Sequence, residues 1–149
     1  MNFIEDFIKI AKENSFSPLL ISSGCCGLEV INAACSSCDE NVIKSETFVN
    51  SARQADLLII AGPVTEKSAT SVQRIYKQMP EPKYVVAIGN CACSGGLFAE
   101  NSYSVVAGAD KILPVDVFLP MCPPQPNMIY DAINLLKNKI AVNNPMNRF

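Results

Sequence analysis

A chain of 149 residues that is 49% hydrophobic and 17% charged, with a formal net charge of −2 and a pI near 5.1, is expected to form one globular domain over residues 1–149. It offers no basic field for a phosphate backbone, which excludes nucleic acid as a partner. No apolar run reaches the roughly 20 residues of a membrane span, and Met1-Asn2-Phe3-Ile4-Glu5-Asp6 lacks the basic start of a signal peptide, so a cytoplasmic location is expected. Seven cysteines in such a chain point to metal or redox chemistry rather than disulfides. With no histidine, Cys–His catalysis is excluded and thiolate is the soft metal ligand at hand.

Phe3, Ile4, Phe7, Ile8 and Ala11 recur at helical spacing opposite Glu5, Asp6, Lys9 and Lys12, predicting an amphipathic N-terminal helix within residues 1–14. Ser17 to Ser23 reads as a buried strand and Gly27 to Ala34 as the helix after it, with Cys25-Cys26 in the turn between. Residues 35–50 stay open between a turn, a short strand at Val42-Ile43 and a loop. Asp56 to Ala61 is the clearest buried strand, broken by Gly62-Pro63, after which Thr65 caps a helix with Ala69, Val72, Ile75, Tyr76 and Met79 on one face. Lys83 to Ile88 is the next strand, and Gly89 to Gly96 a small-residue loop. A strand over Lys111 to Leu119 is cut by Pro120-Met121-Cys122-Pro123-Pro124. The last helix carries Ile129, Ala132, Ile133, Leu136 and Ile140, and residues 141–149 form a polar tail.

Apolar strands alternating with helices predict an α/β fold, a flavodoxin-like parallel sheet with helices on both faces. Ligands of such sheets gather beyond the carboxyl ends of the strands, where the strand order reverses. Cys25 and Cys26 follow the first strand, Cys91 the strand ending near Ile88, and Cys122 the strand ending near Leu119. Four thiolates at one edge match one 4Fe-4S cluster, which takes one thiolate per iron. Gly24, Gly27, Gly89, Gly95 and Gly96 would let backbone approach the cluster, and Pro123 with its neighbouring prolines would direct the third loop. The plain alternative is ordinary turn glycines and buried thiols.

Several blocks together carry a family resemblance: Cys25-Cys26-Gly27-Leu28-Glu29, Arg53-Gln54-Ala55-Asp56, Met79-Pro80-Glu81-Pro82, Gly89-Asn90-Cys91-Ala92, Asn101-Ser102-Tyr103-Ser104-Val105-Val106, and Pro114-Val115-Asp116-Val117 through Cys122-Pro123-Pro124. Over residues 17–140 the chain resembles the 20-kDa iron-sulfur subunit family of respiratory complex I and the small subunits of membrane-bound energy-converting nickel-iron hydrogenases. The resemblance implies an oxidoreductase subunit, not catalytic alone, that holds the terminal 4Fe-4S cluster with Cys25, Cys26, Cys91 and Cys122 as ligands. It implies a large catalytic subunit, a ferredoxin-like iron-sulfur subunit and membrane subunits as partners, and a peripheral place on the inner face of the cell membrane. The tandem cysteines are similar to complex I. The shortness of the chain, with Met121 and Gln125 around the Cys-Pro-Pro block, is similar to the hydrogenases.

Glu29 reads either as an acid favoured at a helix start or, by the resemblance, as a proton-handling or supporting residue near the cluster. Cys35, Cys38 and Cys93 are expected to be non-ligands, with a local dithiol or an extra metal as the alternative. The functional reading is an electron-transfer subunit of a complex I-like or energy-converting hydrogenase-type enzyme. A quinone-reducing complex I-type subunit is one alternative, and a cysteine-rich zinc-binding domain with no catalytic role is another.

Overall fold

The computed structural model describes residues 16–36, 48–99 and 102–143. The expected N-terminal helix, Cys38, most of the open 35–50 stretch and residues 144–149 lie outside the described residues. Within them, β1 (Pro18–Ser22), β2 (Leu57–Ala61), β3 (Tyr84–Ile88) and β4 (Val117–Leu119) form one parallel sheet in that spatial order. Pro18 stands opposite Leu57, Leu57 opposite Tyr84, and Val86 opposite Val117. β2 and β3 are uncharged runs of Leu, Ile, Val and Ala capped by one tyrosine, the composition a strand covered on both faces requires.

Alternation along β2 divides the core in two. Leu57, Ile59 and Ala61 join Val30 and Ala33 of helix α1 (Gly24–Ser36) and Ile129, Ile133 and Leu136 of helix α4 (Pro126–Asn143). Leu58 and Ile60 join Val72 and Met79, at the core-facing side of helix α2 (Glu66–Gln78) and its C-cap, and Ala92 of the short helix α3 (Asn90–Ser94). Helices therefore cover both faces of a parallel sheet, as the sequence pattern implied. Thr65 caps α2 as expected, its hydroxyl accepting the Ser68 amide at 3.2 Å in a reciprocal capping box.

The described strands follow chain order, with no reversal among them. The free edge of β1 is nevertheless engaged. The Asp56 amide donates to Ser17 O while the Val49 amide donates to Pro18 O at 3.0 Å, and successive carbonyls of a strand point to opposite sides. Residues 48–49 thus run along the edge of β1 away from β2.

Three boundaries differ from expectation. Helix α1 starts at Gly24, not Gly27, because Gly24 turns the chain in one residue at φ +62. The cysteine pair therefore sits on the first helical turn, and no residue other than glycine has positive φ among the described residues, so the pair is unstrained in φ. Gly89–Gly96 is not a plain loop: it contains α3, ended by Gly95 at φ +81, followed by a 3₁₀ turn over Gly96–Phe98. The strand expected from Lys111 is reduced to β4, since Ala109–Lys111 forms a 3₁₀ turn and Pro114 has no amide to give a ladder. Asp116 lies just before β4 and acts structurally, its amide donating to Val85 O at 2.9 Å and its carboxylate accepting the Val85 amide at 2.8 Å. Residues 141–143 continue α4 rather than opening the tail.

Candidate functional site

Hydrogen bonding between neighbouring strands does not stop at their carboxyl ends. Ser23 N donates to Ala61 O at 2.8 Å, Gly62 N to Ile88 O at 3.1 Å, Gly89 N to Leu119 O at 2.8 Å and Asn90 N to Met121 O at 2.9 Å. This seam joins the turns after β1, β2, β3 and β4. Cys25 and Cys26 stand on the first turn of α1, Cys91 on the first turn of α3, and Cys122 in the segment after β4.

The four thiols differ in exposure but act on one another. Cys26 is buried, at 1% exposure, Cys91 is half-buried, and Cys25 and Cys122 are exposed. Burial is the main cause that pushes the Cys26 thiol up to about 12; the negative charge and hydrogen bond of Cys25 add to it, followed by the charges of Cys91 and Cys122. Burial, then Cys122 and Cys25, push Cys91 up as well. Among the described residues, the charges that act on Cys26 come from the other three of these cysteines. A metal centre that took up these sulfurs as ligands would replace their protons.

The glycines have distinct jobs. A Cβ at Gly89, which has φ +93, would overlap the Cys26 sulfur, and one at Gly96 would lie 3.3 Å from the Cys91 sulfur. These two positions keep space open beside thiols. Gly95 packs against Ala99 and Ala107, Gly27 against Ser22, and Gly24 faces Pro63, so none of these three adjoins a sulfur in its nearest contacts. Pro123 is exposed and follows Cys122 through a cis peptide.

Cys93 faces away from this group. Its thiol donates to Ala87 O at 3.7 Å, and it is pushed up by burial, with Asp110 adding to that and the Leu119 amide opposing it. Cys35 is exposed at the far end of α1, and Glu29 is half-buried one turn after Cys25. Two features escaped sequence reasoning: Gly62, whose Cβ would overlap Ser23 O, and the Ser23 hydroxyl, which donates to Pro63 O at 2.7 Å. The adjacent small pairs Ser23-Gly24 and Gly62-Pro63 were the available signal.

Among the described residues, no three His, Cys, Asp or Glu side chains are placed to hold a single metal ion. A four-iron cluster asks for a different arrangement, one thiolate for each iron, spread around a larger body. Four cysteines on three separate turns, with Cys25, Cys91 and Cys122 acting on Cys26 and glycine-made space beside two of the sulfurs, fit that demand.

Residues 23–136 match the family described as NADH ubiquinone oxidoreductase, 20 Kd subunit. The chain is 47% identical over 140 residues to an NADH-quinone oxidoreductase subunit of Heliobacterium modesticaldum, covering 94% of this chain and 79% of that protein. It is 45% identical to a chloroplastic NAD(P)H-quinone oxidoreductase subunit of Adiantum capillus-veneris, covering 99% of this chain and 59% of the relative. Among solved structures, it is similar to a chain of the membrane-bound sulfane sulfur reductase, an archaeal respiratory membrane complex, with TM-score 0.82, 31% identity, and coverage of 94% and 78% of the two chains. A chain of the [NiFeSe] hydrogenase of Desulfovibrio vulgaris Hildenborough shares the fold at TM-score 0.60 and 19% identity, with coverage of 86% and 62%.

Proposed function

Since the chain belongs to the 20 kDa subunit family of NADH ubiquinone oxidoreductase, we propose that it is the electron-transfer subunit of a membrane-associated complex, holding one 4Fe-4S cluster with Cys25, Cys26, Cys91 and Cys122. What supports this reading is that those four cysteines stand on three turns joined by backbone hydrogen bonds at one edge of the sheet, with Gly89 leaving room beside the Cys26 sulfur. When bound, such a cluster supplies one-electron transfer and makes or breaks no substrate bond.

The residues of this chain then divide the work. The buried Cys26 anchors the inner side of the site and keeps water from it. Gly89 and Gly96 give room at Cys26 and Cys91, and the seam of backbone hydrogen bonds holds the three turns at constant spacing. Cys25 and Cys122 are the exposed, outer side. Around that edge stand exposed Leu28, Leu97, Phe98, Tyr103 and Met121, an apolar collar suited to a large catalytic subunit. Burial of the collar would shorten the path for the electron and keep solvent from it. Glu29, on the same helical turn region, is the candidate proton-handling residue.

Among the described residues, no helix is long and apolar enough to cross a membrane. Attachment to the inner face of the cell membrane would therefore come through partner subunits, among them a ferredoxin-like donor and membrane subunits. For the acceptor, a sulfur-reducing large subunit suits the likeness to the sulfane sulfur reductase chain, and a hydrogenase-type one rests on the sequence resemblance. Quinone reduction is the second reading, favoured by the relatives named as quinone oxidoreductase subunits.

Anaerobic purification with iron, sulfide and zinc assays, and electron paramagnetic resonance of the reduced protein, tests the reading. About four irons and four sulfides per chain are expected, lost on Cys26→Ser or Cys122→Ser and kept on Cys35→Ser. Stoichiometric zinc without sulfide would overturn it in favour of a zinc-binding domain.

A further inference from the structure

The turn that carries the cysteine pair is held to the next turn of the sheet by one side chain. Ser23 uses its amide to reach Ala61 O at 2.8 Å, and its hydroxyl donates to Pro63 O at 2.7 Å while lying 3.3 Å from Ala61 O. It thus spans Ala61, Gly62 and Pro63 in succession. The fit is close on both sides, since a Cβ on Gly62 would overlap Ser23 O and the Cβ position of Gly24 lies 3.5 Å from Pro63 Cδ. The rest of the seam at this edge, from Gly62 to Ile88 and from Gly89 to Leu119, is backbone to backbone. Ser23 adds a side-chain clasp to it, two residues before Cys25.

From this we infer that the Ser23 hydroxyl is a positioning group for the thiol site, clamping the start of α1 so that Cys26 stays buried in register with Cys91 and Cys122. The inference rests on the cluster reading for its purpose, but the clasp itself concerns the protein alone. Without the hydroxyl, the first turn of α1 opens more often while the sheet stays intact, because the backbone seam and both cores are untouched.

The test is thiol alkylation of the full chain without metal, with peptide mapping by mass spectrometry, in wild type, Ser23→Ala and Ser23→Thr. Loss of one net hydrogen bond makes local opening about five- to tenfold more frequent. Cys26 alkylation is therefore expected to rise by about that factor in Ser23→Ala and to return towards wild type in Ser23→Thr. Cys93, on the other side of α3 and held by Ala87 O, is the internal reference and should not change. A parallel rise at Cys26 and Cys93 would mean general destabilisation, and no rise at Cys26 would mean no clamp; either overturns the inference. In the metal-loaded chain, bleaching of visible absorbance by a chelator should quicken by the same factor in Ser23→Ala. If the wild-type chain takes up no iron and sulfide, the cluster reading fails, while the alkylation pattern still decides the clasp.

Discussion

Gly89 leaves open the space beside the Cys26 sulfur: any Cβ at position 89 would overlap Sγ of residue 26. The contact joins the turn after β3 to the first turn of α1, 63 positions apart in the chain as the two numbers show. Burial of Cys26 and the absence of a side chain at 89 are thus one feature, and a change at either residue is felt by the other.

Gly89→Ala should therefore displace Cys26 and strain a backbone at φ +93. A loss of about 1–3 kcal/mol in unfolding free energy is expected, together with iron and sulfide content below half of wild type. Gly95→Ala, which meets Ala99 and Ala107 instead, should lower stability without altering the paramagnetic spectrum of the protein that does assemble. Denaturant unfolding and metal analysis of the two variants side by side check the contrast.

Asp56 provides a pH dependence remote from the thiols. Its carboxyl is pushed up by burial, against the hydrogen bonds it receives from Ser17 and from the backbone at 56 and 57. A carboxyl raised in the folded state favours the protonated fold, so its contribution to stability is present at low pH and is lost as pH rises through the folded pKa. Asp56→Asn, which can still accept from Ser17, should have a urea midpoint equal to or above wild type at pH 7, with the gap narrowing at pH 4. A gap that widens on acidification would contradict the sign.

Tyr130 ties α4 to α1 through a hydrogen bond from its hydroxyl to Ala33 O at 2.7 Å. Tyr130→Phe should cost about 1 kcal/mol, read as a lower thermal midpoint. The metal content should be unchanged, because Ala33 lies at the end of α1 away from Cys25 and Cys26.

Leu97 and Tyr103 are 90% and 98% exposed beside the thiol edge. Leu97→Glu and Tyr103→Ala should leave iron and sulfide content and thermal midpoint within error of wild type. Co-purification of a large subunit from the native host should fall about tenfold or more with Leu97→Glu, since a charge is then buried in an apolar contact. Unchanged co-purification would move the docking surface elsewhere, with exposed Ile31 of α1 and Leu135 of α4 as the next apolar positions to alter.

The sequence by itself determined the layered architecture and the placing of four cysteines directly after strands, because those depend on local pattern. The run from Leu57 to Ala61 is apolar at every position, as a strand covered on both faces requires, and each of the three thiol-bearing segments follows directly on a strand. The capping of α2 at Thr65 and the buried stripe of α4 were legible for the same reason. Tertiary structure alone decided what the small residues are for. Gly89, Gly95 and Gly27 look alike in sequence, yet one borders a sulfur, one borders the backbone of residues 99 and 107, and one borders Ser22. It also decided that Cys26 rather than Cys25 is the buried thiol, that Cys93 turns to Ala87, and that Ser23 grips Pro63. Such contacts join residues tens of positions apart, and their geometry arises when the turns of neighbouring strands come to lie side by side.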